Sequence, residues 1–327
     1  MTDDKNRPHL LAVAKLAPAL MEQLQQHFVV HERLHETDPQ AFARAAPGIR
    51  AVAGGGDSKV PGDLIGRLPA LEIISIMGVG YDGVDLSAAL ERGIPVTHTP
   101  DVLNDEVADT AIGLLLCIAR RLPQADQYVR TGQWEAKGNM PLARKVSGGR
   151  LGIVGLGRIG QAIARRAQAF GMSIAYTARS AKPEQPYQFY PSARELAAAV
   201  DFLVVITPGG AGTRHMIDAG VLQALGPNGY LVNVARGSVV DEAALIQALQ
   251  QGVIAGAALD VFENEPQVPQ ALRELDNVVL APHIGSATRE TRQAMADLAA
   301  ANLHAHFAGQ PLHTPVPEWR ARQGSGR

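Results

Sequence analysis

Leu151-Gly152-Ile153-Val154-Gly155-Leu156-Gly157-Arg158-Ile159-Gly160 is the stretch that decides the fold. An apolar run leads into a glycine turn, and the pattern over residues 161–170 is helical. Strand, glycine turn and helix in that order make a phosphate cradle. Gly155 permits the tight turn, Gly157 lets the backbone approach a pyrophosphate, and Gly160 lets the helix pack close to the strand. The helix N-terminus adds N–H donors and a partial positive charge. A bare G-x-G-x-x-G is weak in a chain with 33 glycines. The strand before it and the helix after it turn it into a dinucleotide-binding signal.

Outward from this turn, the 327 residues predict two domains, each large enough for its own core. A formal net charge of −2 without a basic block argues against nucleic acid as the main partner. The single cysteine, Cys117, excludes a disulfide framework and a cysteine metal cluster. No metal is expected in the site. No apolar stretch approaches the length of a membrane span. The polar, acidic start Met1-Thr2-Asp3-Asp4 is unlike a signal peptide, and the expectation is a cytoplasmic protein.

Short apolar runs alternate with amphipathic stretches in two series. The first has strands at residues 9–13, 28–30, 50–53, 71–77 and 95–98, with a helix at 18–26. The second has strands at 151–154, 173–176, 202–206, 230–234, 254–259 and 277–280. Between them residues 101–121 read as a helix, capped by Asp101 or Asn104, with Val107, Ile112, Leu115 and Ile118 on one face. The fold class is α/β, with two doubly wound parallel-sheet lobes: a Rossmann cofactor domain and a flavodoxin-like lobe. The last long helix, 286–307, crosses back to the first lobe if that lobe lacks a closing helix. The domains are then residues 1–100 with 286–327, and residues 101–285. Residues 320–327 read as a disordered polar tail.

An acidic residue about 20 positions after the glycines often binds a ribose 2′-hydroxyl. Here the second strand ends in Thr177-Ala178-Arg179-Ser180 instead. A guanidinium and a hydroxyl suit a 2′-phosphate, which a carboxylate would repel. Arg158 adds a second cation. The reading favours NADPH, with NADH use left open; Arg179 as a plain solvated loop residue is the competing view.

Three strand ends then deliver chemistry to one crevice, because ligands of open α/β sheets bind beyond the carboxyl ends. They lead into Ala235-Arg236-Gly237, Asp260-Val261-Phe262-Glu263-Asn264-Glu265-Pro266 and Pro282-His283-Ile284-Gly285. Reducing a 2-keto acid needs a guanidinium on the carboxylate and ketone, an imidazole proton donor, and a carboxylate that orients the imidazole. Arg236, His283 and Glu265 fill these roles. Glu263 competes for the carboxylate role, and Asp260 reads either as a cofactor-side anion or as a cap of its loop.

Together with Gly78-Val79-Gly80-Tyr81-Asp82 and Asn104-Asp105-Glu106-Val107-Ala108-Asp109, these motifs resemble the D-isomer-specific 2-hydroxyacid dehydrogenases over most of residues 78–286. The resemblance is closest to the glyoxylate/hydroxypyruvate reductase group. It implies an active enzyme, usually a homodimer, with catalytic Arg236, Glu265 and His283. It favours Glu265 over Glu263, because the family's glutamate stands just before the proline. It assigns the backbone amides of Val79 and Gly80 to the substrate carboxylate, and counts Arg236 and His283 among the substrate-binding residues. Cofactor contacts are implied at Gly155, Leu156, Gly157, Arg158, Ile159, Gly160, Arg179, Ser180, Thr207, Ala235, Asp260, His283 and Gly285. Residues 131–144 resemble a loop that in relatives reaches the partner's active site, where Trp134 and Met140 shape substrate preference or serve packing. Aromatic substrates such as hydroxyphenylpyruvate, and a non-enzymatic cofactor-sensing role, are the alternatives.

Overall fold

Every strand-to-strand pairing within the two sheets is parallel. Residues 7–324 are described by a computed structural model. The N-terminal stretch read as unlike a signal peptide lies outside them, as do residues 325–327 of the tail. The chain divides into two units, one holding the chain up to Leu103 and again from Thr288, the other Asn104–Ala287.

The first unit carries β1 (His9–Ala12), β2 (Val29–Glu32), β3 (Ile49–Gly55), β4 (Ile73–Met77) and β5 (Val96–Thr97), in the order β2-β1-β3-β4-β5. This is the flavodoxin-like order. β4 is buried along its whole length, as expected of a strand covered by helices on both faces. The helix Arg289–Phe307 starts at Thr288, whose side chain accepts from the Thr291 N–H. It packs on β4 and on the helix Pro18–His27, and Ser75 donates to the Ala299 carbonyl at 3.2 Å. Leu11, Phe42, Ile74 and Val96 anchor this core.

The second unit carries β6 (Arg150–Val154), β7 (Ser173–Thr177), β8 (Gln188–Phe189), β9 (Phe202–Val205), β10 (Tyr230–Asn233), β11 (Gly256–Leu259) and β12 (Val278–Leu280). Their order is β12-β11-β10-β9-β6-β7-β8. The winding reverses at β6, so the glycine turn that follows it stands at the switch point where such sheets bind ligands. Both architectures are as the sequence predicts.

Several local readings need correction. β8 is an extra edge strand of two residues, too short and too exposed to show an apolar pattern. The helices Leu122–Arg130 and Gln133–Lys137 have no buried residue and so no periodicity to reveal them. Residues 320–324 belong to the helix Pro317–Gly324, preceded by the fully buried Val316 and holding Trp319 against the first core. The glycine-rich end of the tail disguised that anchor. No described helix is long and apolar enough to cross a membrane.

Candidate active site

The glycine turn is shaped as its residue types require. Gly155 has φ +104°, and a Cβ there would lie 2.9 Å from the Ile206 carbonyl oxygen and the Thr207 nitrogen. At Gly160 a Cβ would run into the Gly155 carbonyl. Gly157 is the N-cap of the helix Arg158–Ala169, makes no side-chain cap, and has open space where a Cβ would stand. The leading N–H groups of that helix are therefore offered to an anion rather than to a capping side chain. The Leu156 side chain is buried, whereas Arg158 is exposed.

At the end of β7, Arg179 and Ser180 are exposed and no carboxylate stands in the segment from Thr177 to Lys182. The buried Tyr176 hydroxyl accepts from the Lys182 N–H at 2.6 Å, folding this segment back on its own strand. Uncapped helix donors, a cradle that excludes side chains and an exposed guanidinium are the donor set a phosphorylated dinucleotide needs. The residues fit that group.

β10, β11 and β12 are neighbours, so the loops after them share one edge. Asn233, nearly fully buried, clamps the first loop: its side-chain oxygen accepts from the Ala235 N–H at 3.1 Å and its amide donates to the Arg236 carbonyl at 3.0 Å. Arg236 Nη1 donates to the Ala235 carbonyl at 2.8 Å. A Cβ on Gly237 would fall on the Phe262 carbonyl, so the first and second loops touch backbone to backbone.

Glu265 and His283 meet across the second and third loops, with His283 Nδ1 2.7 Å from Glu265 Oε2. A carboxylate only accepts, so Nδ1 carries the hydrogen, and Nε2 is the ring nitrogen not engaged by Glu265. The other carboxylate oxygen accepts from the Phe262 N–H at 2.9 Å. Burial pushes the Glu265 carboxyl up. The bonds from His283 and Phe262, with the charges of His283 and Arg236, outweigh it and hold the group below the usual carboxylate value. Glu263 is engaged elsewhere, accepting from Arg214 at 2.8 Å and bonding His215 at 3.1 Å.

His283 itself sits at φ +53°, a conformation uncommon outside glycine. Asp260, 2 % exposed, holds it there. The Asp260 carboxylate accepts from the N–H groups of Ile284 at 2.7 Å and Gly285 at 2.8 Å, and its carbonyl accepts from the His283 N–H at 2.9 Å. These three bonds make Asp260 a clamp on its own loop, the capping role the sequence allowed beside a place at the cofactor. Burial pushes its carboxyl up despite the two N–H donors.

Val79 and Gly80 belong to the other unit and follow β4, half-buried. Asn233, Asp260 as a clamp and Tyr176 carry no signal in the sequence beyond polar residues in or beside apolar strands. In the segment 131–144, Trp134 is exposed and Met140 half-buried.

The family model D-isomer specific 2-hydroxyacid dehydrogenase, NAD binding domain, matches residues 112–285. The NADPH-dependent glyoxylate/hydroxypyruvate reductase of Sinorhizobium meliloti, solved in complex with NADP and malonate, is 49% identical, with 96% of this chain and 98% of that one covered and a TM-score of 0.91. Hydroxyphenylpyruvate reductase of Plectranthus scutellarioides is 48% identical over 94% of this chain and 98% of its own length. Glyoxylate/hydroxypyruvate reductase A of Arabidopsis thaliana is 53% identical over 82% and 85%. On the matched model, the full-length relatives and the shared two-sheet architecture, the chain belongs to the D-isomer specific 2-hydroxyacid dehydrogenase family.

Proposed function

We propose that this enzyme uses NADPH to reduce small 2-keto acids such as glyoxylate and hydroxypyruvate to the D-2-hydroxy acids. The observation that carries the reading is the His283–Glu265 pair, closed at 2.7 Å on neighbouring strand-end loops. Residues 101–285 are the cofactor domain, and residues 1–100 with 286–327 the substrate-binding domain. The glycine turn, Thr207, Ala235, Asp260 and Gly285 would line the cofactor, with Arg179 and Ser180 on its 2′-phosphate.

When bound, the reduced nicotinamide supplies the hydride that adds to the ketone carbon. Arg236 grips the substrate's carboxylate and ketone oxygen, and the Val79 and Gly80 amides take the remaining carboxylate lone pairs. His283 Nε2 gives its proton to the ketone oxygen as the carbon–oxygen double bond becomes a single bond. Glu265 accepts from Nδ1 throughout and faces the imidazolium in its charged state. The products are the 2-hydroxy acid and the oxidised cofactor. The Plectranthus relative favours a second reading, reduction of aryl pyruvates at the same site.

Exposed Leu122, Val129, Trp134 and Leu142, gathered in one segment, support a homodimer. We assign the enzyme to the cytoplasm, where reduced nicotinamide cofactors circulate.

The test is a steady-state panel of glyoxylate, hydroxypyruvate, pyruvate and hydroxyphenylpyruvate against NADPH and NADH. Turnover of a short 2-keto acid with NADPH preferred is expected. His283→Ala should lower kcat about 10²–10⁴-fold while leaving NADPH affinity in place. A His283→Ala enzyme with undiminished kcat would remove the proton-donor assignment, and no turnover on any member of the panel would remove the whole reading.

A further inference from the structure

Gly78-Val79-Gly80-Tyr81 is held from behind by groups the reaction does not use. Thr99 N–H donates to the Gly78 carbonyl at 2.8 Å. His98 Nδ1 lies 3.0 Å from the Val79 carbonyl, and since a carbonyl only accepts, Nδ1 is the donor. The Tyr81 ring stands edge-on to the His98 ring, centroids 5.2 Å apart, and the Tyr81 hydroxyl donates to Glu318 at 3.1 Å.

His98 is itself fixed. Its N–H donates to the Thr314 carbonyl at 3.1 Å and its carbonyl accepts from the Thr314 hydroxyl at 2.6 Å. Thr314 is locked in turn by Asn302, fully buried on the helix Arg289–Phe307, through bonds of 3.0 and 2.8 Å. Val316 N–H donates to Val96 at 2.9 Å, so residues 314–316 run along β5 and brace it.

A trans peptide is planar, and its C=O and N–H point in opposite directions. The Val79 carbonyl and the Gly80 N–H are one peptide unit, as are the Gly78 carbonyl and the Val79 N–H. A donor on each carbonyl therefore fixes where each N–H aims. Without the His98 bond the Val79–Gly80 unit is able to rotate, because Gly80 tolerates either orientation.

We propose that His98 is a positioning residue for substrate: by holding the Val79 carbonyl through Nδ1–H, it aims the Gly80 N–H at the carboxylate of the 2-keto acid. The inference rests on the functional reading above. It adds a residue of β5's end, buttressed by Thr314 and Asn302, to the determinants of carboxylate recognition.

Asparagine places an amide nitrogen where Nδ1 stands, whereas glutamine places it where Nε2 stands. The experiment compares His98→Ala, His98→Asn and His98→Gln by steady-state kinetics with hydroxypyruvate and NADPH, with a thermal melt of each. His98→Ala and His98→Gln should raise the KM for hydroxypyruvate about fivefold to tenfold, the effect of one misdirected hydrogen bond. The KM for NADPH should stay within about twofold, and His98→Asn should recover most of the loss. If all three variants keep the wild-type KM, or if asparagine is no better than glutamine while both melt like wild type, the proposal is overturned. A wild-type enzyme that reduces no 2-keto acid instead removes the functional reading, and this inference with it. An alanine variant that does not fold leaves the asparagine–glutamine comparison to decide.

Discussion

Glu265 is held ionised against its burial by two hydrogen-bond donors and the charges of His283 and Arg236. Its folded value lies below the ordinary one, so the sign is that of a stabilising carboxylate. The contribution is fully present above the unfolded value, about 4.3 for glutamate, and is lost as pH falls through the lower folded value. Glu265→Gln keeps the shape and removes the charge. Its kcat should drop about 10²-fold, since the imidazolium loses its counter-charge. Its melting temperature should also fall less than that of the wild type as pH is lowered from 5 to below 4. Parallel melting curves over that acid range would show that the carboxylate carries no such linkage. Some of this residue-level chemistry was legible in the sequence. A His, an Arg and a Glu beyond three strand ends announce themselves by type and place. The choice between Glu265 and Glu263 was not legible from spacing. They stand two residues apart on one loop, and in the fold one reaches His283 while the other reaches Arg214 and His215.

Strands and their order carry those residues to one edge. The buried strands were readable because a strand covered on both faces must be a short apolar run, as Phe202–Val205 is. What was not readable is how the loops beyond the strands are clamped, because the clamps depend on partners far away in the chain. Asp260 reaches 24 and 25 residues forward, and Thr314 reaches back 216 to His98. Gly237 tests this level directly. The loop after β10 touches the loop after β11 where Gly237 meets the Phe262 carbonyl, and a side chain there collides with backbone that cannot swing aside. Gly237→Ala should cost about 1–3 kcal/mol of stability. It should also lower kcat, because the displaced backbone carries the Phe262 N–H that holds Glu265. A variant with wild-type melting temperature and kcat would mean that these loops are not locked together as described.

At the scale of the whole molecule, the segment from Leu122 to Leu142 stands apart. Elsewhere among the described residues Ile284 is the one strongly exposed large apolar side chain, yet here there are four, and Leu142 is 100% exposed. No side chain of the helix Leu122–Arg130 is fully buried within its own chain. In the proposed homodimer these side chains would be covered, and each would count twice, once per protomer. Burying a leucine or valine contributes about 1.5–3 kcal/mol, so replacing Val129 and Leu142 by glutamate in both protomers should weaken association at least about a thousandfold. The monomer should fold unchanged, since neither side chain is buried in its own chain. Sedimentation at micromolar concentration should therefore give twice the chain mass for the wild type and the chain mass for Val129→Glu/Leu142→Glu, with equal melting of far-ultraviolet circular dichroism at high dilution. A wild type that sediments as a single chain defeats the homodimer. A double variant that still sediments at twice the chain mass places the interface elsewhere.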